Sequence, residues 1–283
     1  MHTVTQVDVI GLLREEREGL LRLLSGLSAA EWALPTECPA WTIKGIALHL
    51  LGDDLSLLSR QRDEEVPGVV VEARGSDWSD LMAAFDHFNE AWVEAASFFS
   101  PSLIIELLRF TGDWTCRWYT SVDPDQLGEA IHWISPTDPQ PYWLLGAREY
   151  LERWIHHLQI RRAVGQPGLT EERFVTPALA ITFRGFPRGW AGVPAEEDTT
   201  VTFMLTDASP SWTLQRQNGE WTLHDGAPAQ PDAVLAFDLD LAAHLFSRGL
   251  SQADIQRRVR IEGDTDLAQM FAGGLAAFFA QEA

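Results

Sequence analysis

Between Val9 and Leu24 the apolar residues Ile10, Leu13, Leu20, Leu21 and Leu24 recur at near-helical spacing among arginines and glutamates, which predicts an amphipathic helix ending at Gly26. Ser28-Ala-Ala-Glu31 reads as a capping box opening a short helical turn, before Pro35 and Pro39 break the chain. A second helix is expected from near Thr42. It carries Ile43, Ile46, Leu50 and Leu57 on one side, with His49 among them, and ends before the polar stretch Arg60 to Glu65 and Pro67. A third runs from near Ser79 through Leu81, Phe85, Phe88 and Trp92 to about Phe99, where Pro101 closes it, and a helical continuation is expected from Ser102 to Tyr119. Pro124, Pro136, Pro139 and Pro141 make the next segment a structured connection. Beyond it, Trp143 to Val164 is a long helical pattern ended by Gly165-Gln-Pro-Gly168.

The period then changes. Thr199 to Leu205, Ser211 to Arg216 and Glu220 to His224 alternate, are rich in β-branched and aromatic residues, and are separated by turn sequences, so they predict a meander. Ala233 to Phe237 and Val259 to Glu262 are expected as further strands, with helices over Asp240 to Ser247 and Asp264 to Phe279. The fold class is therefore α followed by α+β. An antiparallel four-helix bundle over residues 1–170 precedes a smaller domain, residues 171–283, with a mainly antiparallel sheet. The switch of period itself falls between Thr176 and Glu196.

Composition narrows the function. The 283 residues are 46% hydrophobic and include twelve tryptophans, enough apolar and aromatic surface for two substantial cores. A formal charge of -20, spread along the chain, argues against nucleic acid and anionic membrane as partners. No signal-peptide pattern opens the chain and no apolar run is long enough to span a bilayer, so a cytoplasmic location is expected, as a monomer. Cys38 and Cys116 are far apart and in no CxxC arrangement, which excludes a cysteine-rich zinc site and predicts two buried thiols.

The chemistry is concentrated in Arg148-Glu-Tyr-Leu-Glu-Arg-Trp-Ile-His-His157. Glu152 and His156, four residues apart on a helix, project about 40° from one another and can converge on one ion. His157 projects away from both and is expected to face solvent. Two ligands seldom suffice for a metal that does chemistry, so a third must come from another helix. His49 is the best placed, and His132 in the proline-rich connection stays in contention.

Cys38-Pro-Ala-Trp-Thr-Ile-Lys-Gly-Ile-Ala-Leu-His-Leu50 resembles a signature of the mycothiol-dependent maleylpyruvate isomerase family, within the DinB-like metal-binding bundles. Glu152-Arg-Trp-Ile-His-His-Leu-Gln-Ile-Arg-Arg-Ala-Val-Gly165 is similar to a second motif of that family, in the same order, and Val259 to Ala268 more weakly resembles the end of its sterol-carrier-like second domain. The resemblance implies His49, Glu152 and His156 as the ligands of a divalent ion, usually zinc. It also implies mycothiol, or another low-molecular-weight thiol, as the cofactor whose metal-bound thiolate adds to a small electrophilic substrate. His157 and Gln159 stand where the family commonly has glycine and aspartate, which puts the tuning of the ligands in question; Asp53, one turn after His49, is a candidate substitute orienter.

The function expected is a thiol-dependent transferase or isomerase, with Arg248 reaching an anionic substrate or cofactor group from the second domain as the catalytic candidate. Trp41, Trp114 and Trp154 are candidate walls of the site. Two alternatives keep parts of this reading: a hydrolase in which metal-bound water replaces the thiol, and a non-enzymatic metal- or small-ligand-binding protein whose second domain holds an apolar molecule or a partner.

Overall fold

The computed structural model describes residues 1–65, 78–247 and 249–279. In the first half lie α1 (Ile10–Gly26), α2 (Ile43–Leu57), α3 (Trp78–Ala95), α4 (Pro101–Ser121) and α5 (Tyr142–Ala163). Helices α1, α2, α4 and α5 pack together, and α3 is laid against α2. Local chemistry sets the starts. The Thr42 hydroxyl accepts from the Gly45 N–H at 3.3 Å and the Ser100 hydroxyl from Leu103 N–H at 3.3 Å, and Pro101 sits in the first turn, where its missing N–H costs nothing. The capping box forms: Ser28 N–H donates to Glu31 Oε2 at 2.7 Å and Glu31 N–H to the Ser28 hydroxyl at 3.3 Å.

Three features differ from the pattern. Helix α2 does not stop before Arg60 but continues into a π turn over Leu58–Arg62, where Arg60 and Gln61 both reach Glu129. The proline-rich connection contains a small antiparallel pair, β2 (Leu127–Ala130) with β3 (Pro139–Pro141). Most consequential, α2 and α5 are buried around nearly their whole circumference, because α5 touches α1, α2 and elements of the second half at once. Positions off the apolar stripe of α5 are therefore interior positions too.

The second half holds α6 (Glu172–Phe183), the single turn α7 (Phe186–Gly189), β4 (Thr200–Leu205), β5 (Ser211–Gln217), β6 (Glu220–Asp225), β7 (Ala233–Phe237), α8 (Leu239–Ser247), α9 (Gln252–Arg258), β8 (Arg260–Gly263) and α10 (Thr265–Phe279). With β1 (His2–Thr3) the sheet runs β1-β6-β5-β4-β7-β8, parallel only between β4 and β7. Asn218 and Gly219, at φ 53° and 76°, make the two-residue turn between β5 and β6, and both their N–H groups donate to Glu197. Gly263, at φ 79°, lies so close to the Asp232 carbonyl that a Cβ would stand 2.2 Å from its oxygen. Its neighbour Asp264 then caps α10, accepting from Leu267 N–H at 3.1 Å. The strand β1 and the helices α6, α7 and α9 were not anticipated; β1 is too short to carry a period, and α6 to α7 fall where the pattern changes.

Against the sheet lies an aromatic core of Phe183, Phe186, Trp190, Phe203, Trp221 and Phe271, with Trp190 and Phe271 stacked in parallel planes, centroids 5.6 Å apart. The halves meet where α5 packs on α6 and α8. There Trp154, fully buried, sets its ring edge-on to Phe246 at 5.3 Å and donates its indole N–H to the Leu169 carbonyl at 3.0 Å.

Candidate metal centre

Helices α2 and α5 face each other in two layers. In the outer layer His49 of α2 meets Glu152 and His156 of α5, and these three side chains each offer one ligand atom, all within 4.8 Å of one another. Glu152 Oε1 lies 3.5 Å from His49 Nε2 and 3.3 Å from His156 Nε2. His49 and His156 are buried, with ring centroids 4.7 Å apart and planes 75° apart. His132 does not join them; it lies against Phe85, and its carbonyl accepts from Arg188.

Burial lowers the pKa of His49, against the raising effect of Glu152, so its ring is held uncharged near neutral pH. Burial would also lower that of His156, but hydrogen bonds to Glu152 and Gln159 and the charge of Glu152 outweigh it and the result is raised. Burial would raise the carboxyl of Glu152, which the two imidazoles instead hold well below the usual range. The Nε2 of His49 is buried without a hydrogen-bond partner. An orphaned, uncharged imidazole nitrogen aimed at a carboxylate and a second imidazole is what a borderline cation such as zinc would satisfy, so the donor set fits the metal that the family resemblance implies.

Trp41 stacks on His49, centroids 4.6 Å apart, and stands 6.2 Å from His156. It can do so because Gly45, one turn before His49, has no side chain: a Cβ there would stand 2.8 Å from the Cβ of Trp41. Of the three tryptophans considered for the site, only Trp41 lines it. Trp154 belongs to the seam, and Trp114 is 46% exposed beside Phe110.

The inner layer is a buried charge network that sequence reasoning missed. Asp54 accepts from Arg17 at 2.6 Å, from Arg153 at 2.6 Å and from the Thr111 hydroxyl, and Arg153 also bonds Glu149 at 2.6 Å. Gly112 leaves the room that the Arg17 side chain fills. Burial would raise Asp54, but the guanidiniums of Arg17 and Arg153 hold it at about 2. Asp53, 3.7 Å from Arg153, is pushed up to about 7 by burial and the charge of Glu149. The signal was the run of acidic and basic residues at helical spacing on α1, α2 and α5, which reads as solvated faces until a partner helix covers each one.

The structure places His157 and Asp53 differently from the expectation. His157 does not face solvent: it is fully buried, and its Nδ1 lies 3.0 Å from Glu16 Oε1 of α1, whose side chain is equally buried. Gly19 admits it, since a Cβ there would touch His157 Cε1 at 3.2 Å. Where the family commonly has aspartate, Gln159 supplies a hydrogen bond to a candidate ligand, its Oε1 lying 2.8 Å from His156 Nδ1. Asp53 engages Arg153. Arg248 lies outside the described residues, as does Pro67. Its neighbour Gly249 abuts Glu37, which Arg162 of α5 holds at 3.1 Å.

A helical bundle bearing a cluster of two buried histidines and one half-exposed carboxylate, followed by an α+β domain, defines the class. The model of the mycothiol maleylpyruvate isomerase N-terminal domain matches residues 13–161, and that of the SCP-2 sterol transfer family residues 195–276. The chain belongs to the mycothiol maleylpyruvate isomerase N-terminal domain family. An uncharacterized protein of Mycobacterium tuberculosis, found in two strains, is 28% identical over 153 residues, 54% of this chain and 55% of its own length. The chain thus matches little more than half the length of these curated relatives. The crystal structure of the mycothiol-dependent maleylpyruvate isomerase shares the fold, with a TM-score of 0.56 at 14% identity over 88% of this chain and 93% of that one. A histidine-to-alanine mutant of the same enzyme gives 0.54 at 14% identity, over 89% and 95%.

Proposed function

We propose that this chain is a metal-dependent thiol transferase or isomerase. His49, Glu152 and His156 hold a divalent ion, zinc by the chemistry of the donors, and a small thiol of the mycothiol type is the cofactor. The observation that carries the reading is the orphaned Nε2 of His49, buried 3.5 Å from Glu152 Oε1. When bound, a divalent cation with two uncharged imidazoles and one carboxylate supplies the positive charge that keeps a thiol deprotonated near neutral pH. The residues of the chain prepare for this. His49 is uncharged before any ion arrives, Trp41 covers its ring and keeps water from that side, and Glu152 contributes the negative charge. The substrate in this reading is a small electrophile, to which the thiol adds reversibly for isomerisation or irreversibly for transfer. Arg248, from the segment beside Gly249, is proposed to hold its anionic group.

A hydrolase that uses water at the same triad needs a base, and Asp53, one turn after His49 with its proton held to about 7, is the group that favours that second reading.

The test is metal analysis of the purified chain together with thiol-dependent turnover of a panel of electrophiles, maleylpyruvate included. Stoichiometric zinc and thiol-dependent conversion are expected, with both lost in His49→Ala and His156→Ala. Full metal occupancy in those variants would overturn the assignment, and turnover without thiol that vanishes in Asp53→Asn would favour the hydrolase.

A further inference from the structure

Gln159 is 4% exposed and sits one turn after His156 on α5, its Oε1 2.8 Å from His156 Nδ1. An amide oxygen only accepts, so this contact requires the proton on Nδ1. A neutral imidazole has one N–H. With that proton committed to Gln159, the lone pair of the neutral ring belongs to Nε2. Its 3.3 Å contact with Glu152 Oε1 is a hydrogen bond while the ring is charged, and once that proton leaves, the Glu152 side chain, 44% exposed, takes its hydrogen bonds from water instead. The other tautomer would put a hydrogen where a ligand lone pair is needed and would leave a buried oxygen and a buried nitrogen facing each other without a proton.

We infer that Gln159 is a positioning residue that locks His156 in the tautomer with Nε2 free to face His49 and Glu152, and that it does so without adding charge. A carboxylate at this position would fix the same tautomer, but it would also make the imidazole more basic and add a negative charge beside the triad. The amide leaves Glu152 as the charged member of the cluster, so a bound divalent cation keeps more of its positive charge for an incoming anionic ligand, the thiolate of the proposed cofactor. The second part rests on the metal reading above; the first does not.

Two measurements separate them. In metal-free protein, at a pH alkaline enough to make the ring neutral, NMR of the imidazole nitrogens reads the tautomer of His156 directly. Wild type should be protonated at Nδ1, Gln159→Met should give a mixture, and Gln159→Glu should restore Nδ1–H. Zinc affinity, by competition with a chromophoric chelator, should fall about tenfold to a hundredfold in Gln159→Met and rise above wild type in Gln159→Glu. Protonation of wild-type His156 at Nε2, or a Gln159→Met protein with unchanged tautomer and unchanged zinc affinity, overturns the inference. A wild-type protein that binds no zinc yet shows the Nδ1–H tautomer supports the positioning role of Gln159 while overturning the metal reading. Because the wild-type spectrum is itself decisive, the conclusion does not depend on the Met variant folding.

Discussion

His156 and His157 are adjacent on one helix and their surroundings divide their roles. His156 faces α2 and shares Glu152 with His49; His157 faces α1 and takes Glu16 as its partner. Removing the second imidazole takes away the hydrogen-bond partner of a fully buried Glu16 carboxyl whose other oxygen is already unpartnered. His157→Ala is therefore expected to destabilise the protein by about 3 kcal/mol in urea unfolding. Its zinc content should not change, because the triad makes no use of this residue. Loss of zinc with unchanged stability would show that the two histidines had been assigned the wrong way round.

At the scale of elements, the charge network fixes how α1, α2, α4 and α5 meet. Asp54 joins Arg17 of α1, Thr111 of α4 and Arg153 of α5, one turn inward from the triad, so the register that brings His49 to Glu152 is held by ion pairs as well as by apolar packing. Such pairs are expensive to break singly, because the partner is left charged in a dry interior. Asp54→Asn, nearly the same shape, is expected to cost about 3 to 5 kcal/mol by chemical denaturation. The pH dependence has a definite sign. The carboxyl of Asp54 is held at about 2 in the folded chain, against an ordinary 3.8, so the folded state binds this proton less readily than the unfolded one. Its stabilisation is complete above the unfolded value and lost as pH falls through about 2, a contribution of about 2 kcal/mol. Acid titration of unfolding should display that loss between the two values, and Asp54→Asn should remove it.

For the molecule as a whole, the seam of α5 with α6 and α8 governs how the second half sits over the first. We propose that residues 1–170 and 171–283 are two folding units coupled through it, with Trp154 as a central contact, since its ring meets Phe246 of α8 across the seam. Trp154→Ala should cost about 3 to 5 kcal/mol and split a shared thermal transition into two, read by calorimetry. A single transition shifted as a whole would mean that the chain unfolds as one unit.

What the sequence determined by itself was whatever depends on neighbours along the chain. The spacing of Ile43, Ile46 and Leu50 made α2, Thr42 capped it, Asn218-Gly219 turned β5 into β6, and four-residue spacing aligned Glu152 with His156. The motif order brought His49 to the same cluster as an expectation, and the three side chains do stand within 4.8 Å. Tertiary structure alone decided the environment of every polar position off an apolar stripe. Glu16, Arg17, Asp54, Arg153, His157 and Gln159 look like solvated faces in one dimension and are all buried in three, because α5 is covered from several directions at once. A helical period reports which residues share a face. Which faces are covered depends on how many other elements come to lie against them, and that is fixed by contacts between residues far apart in the chain.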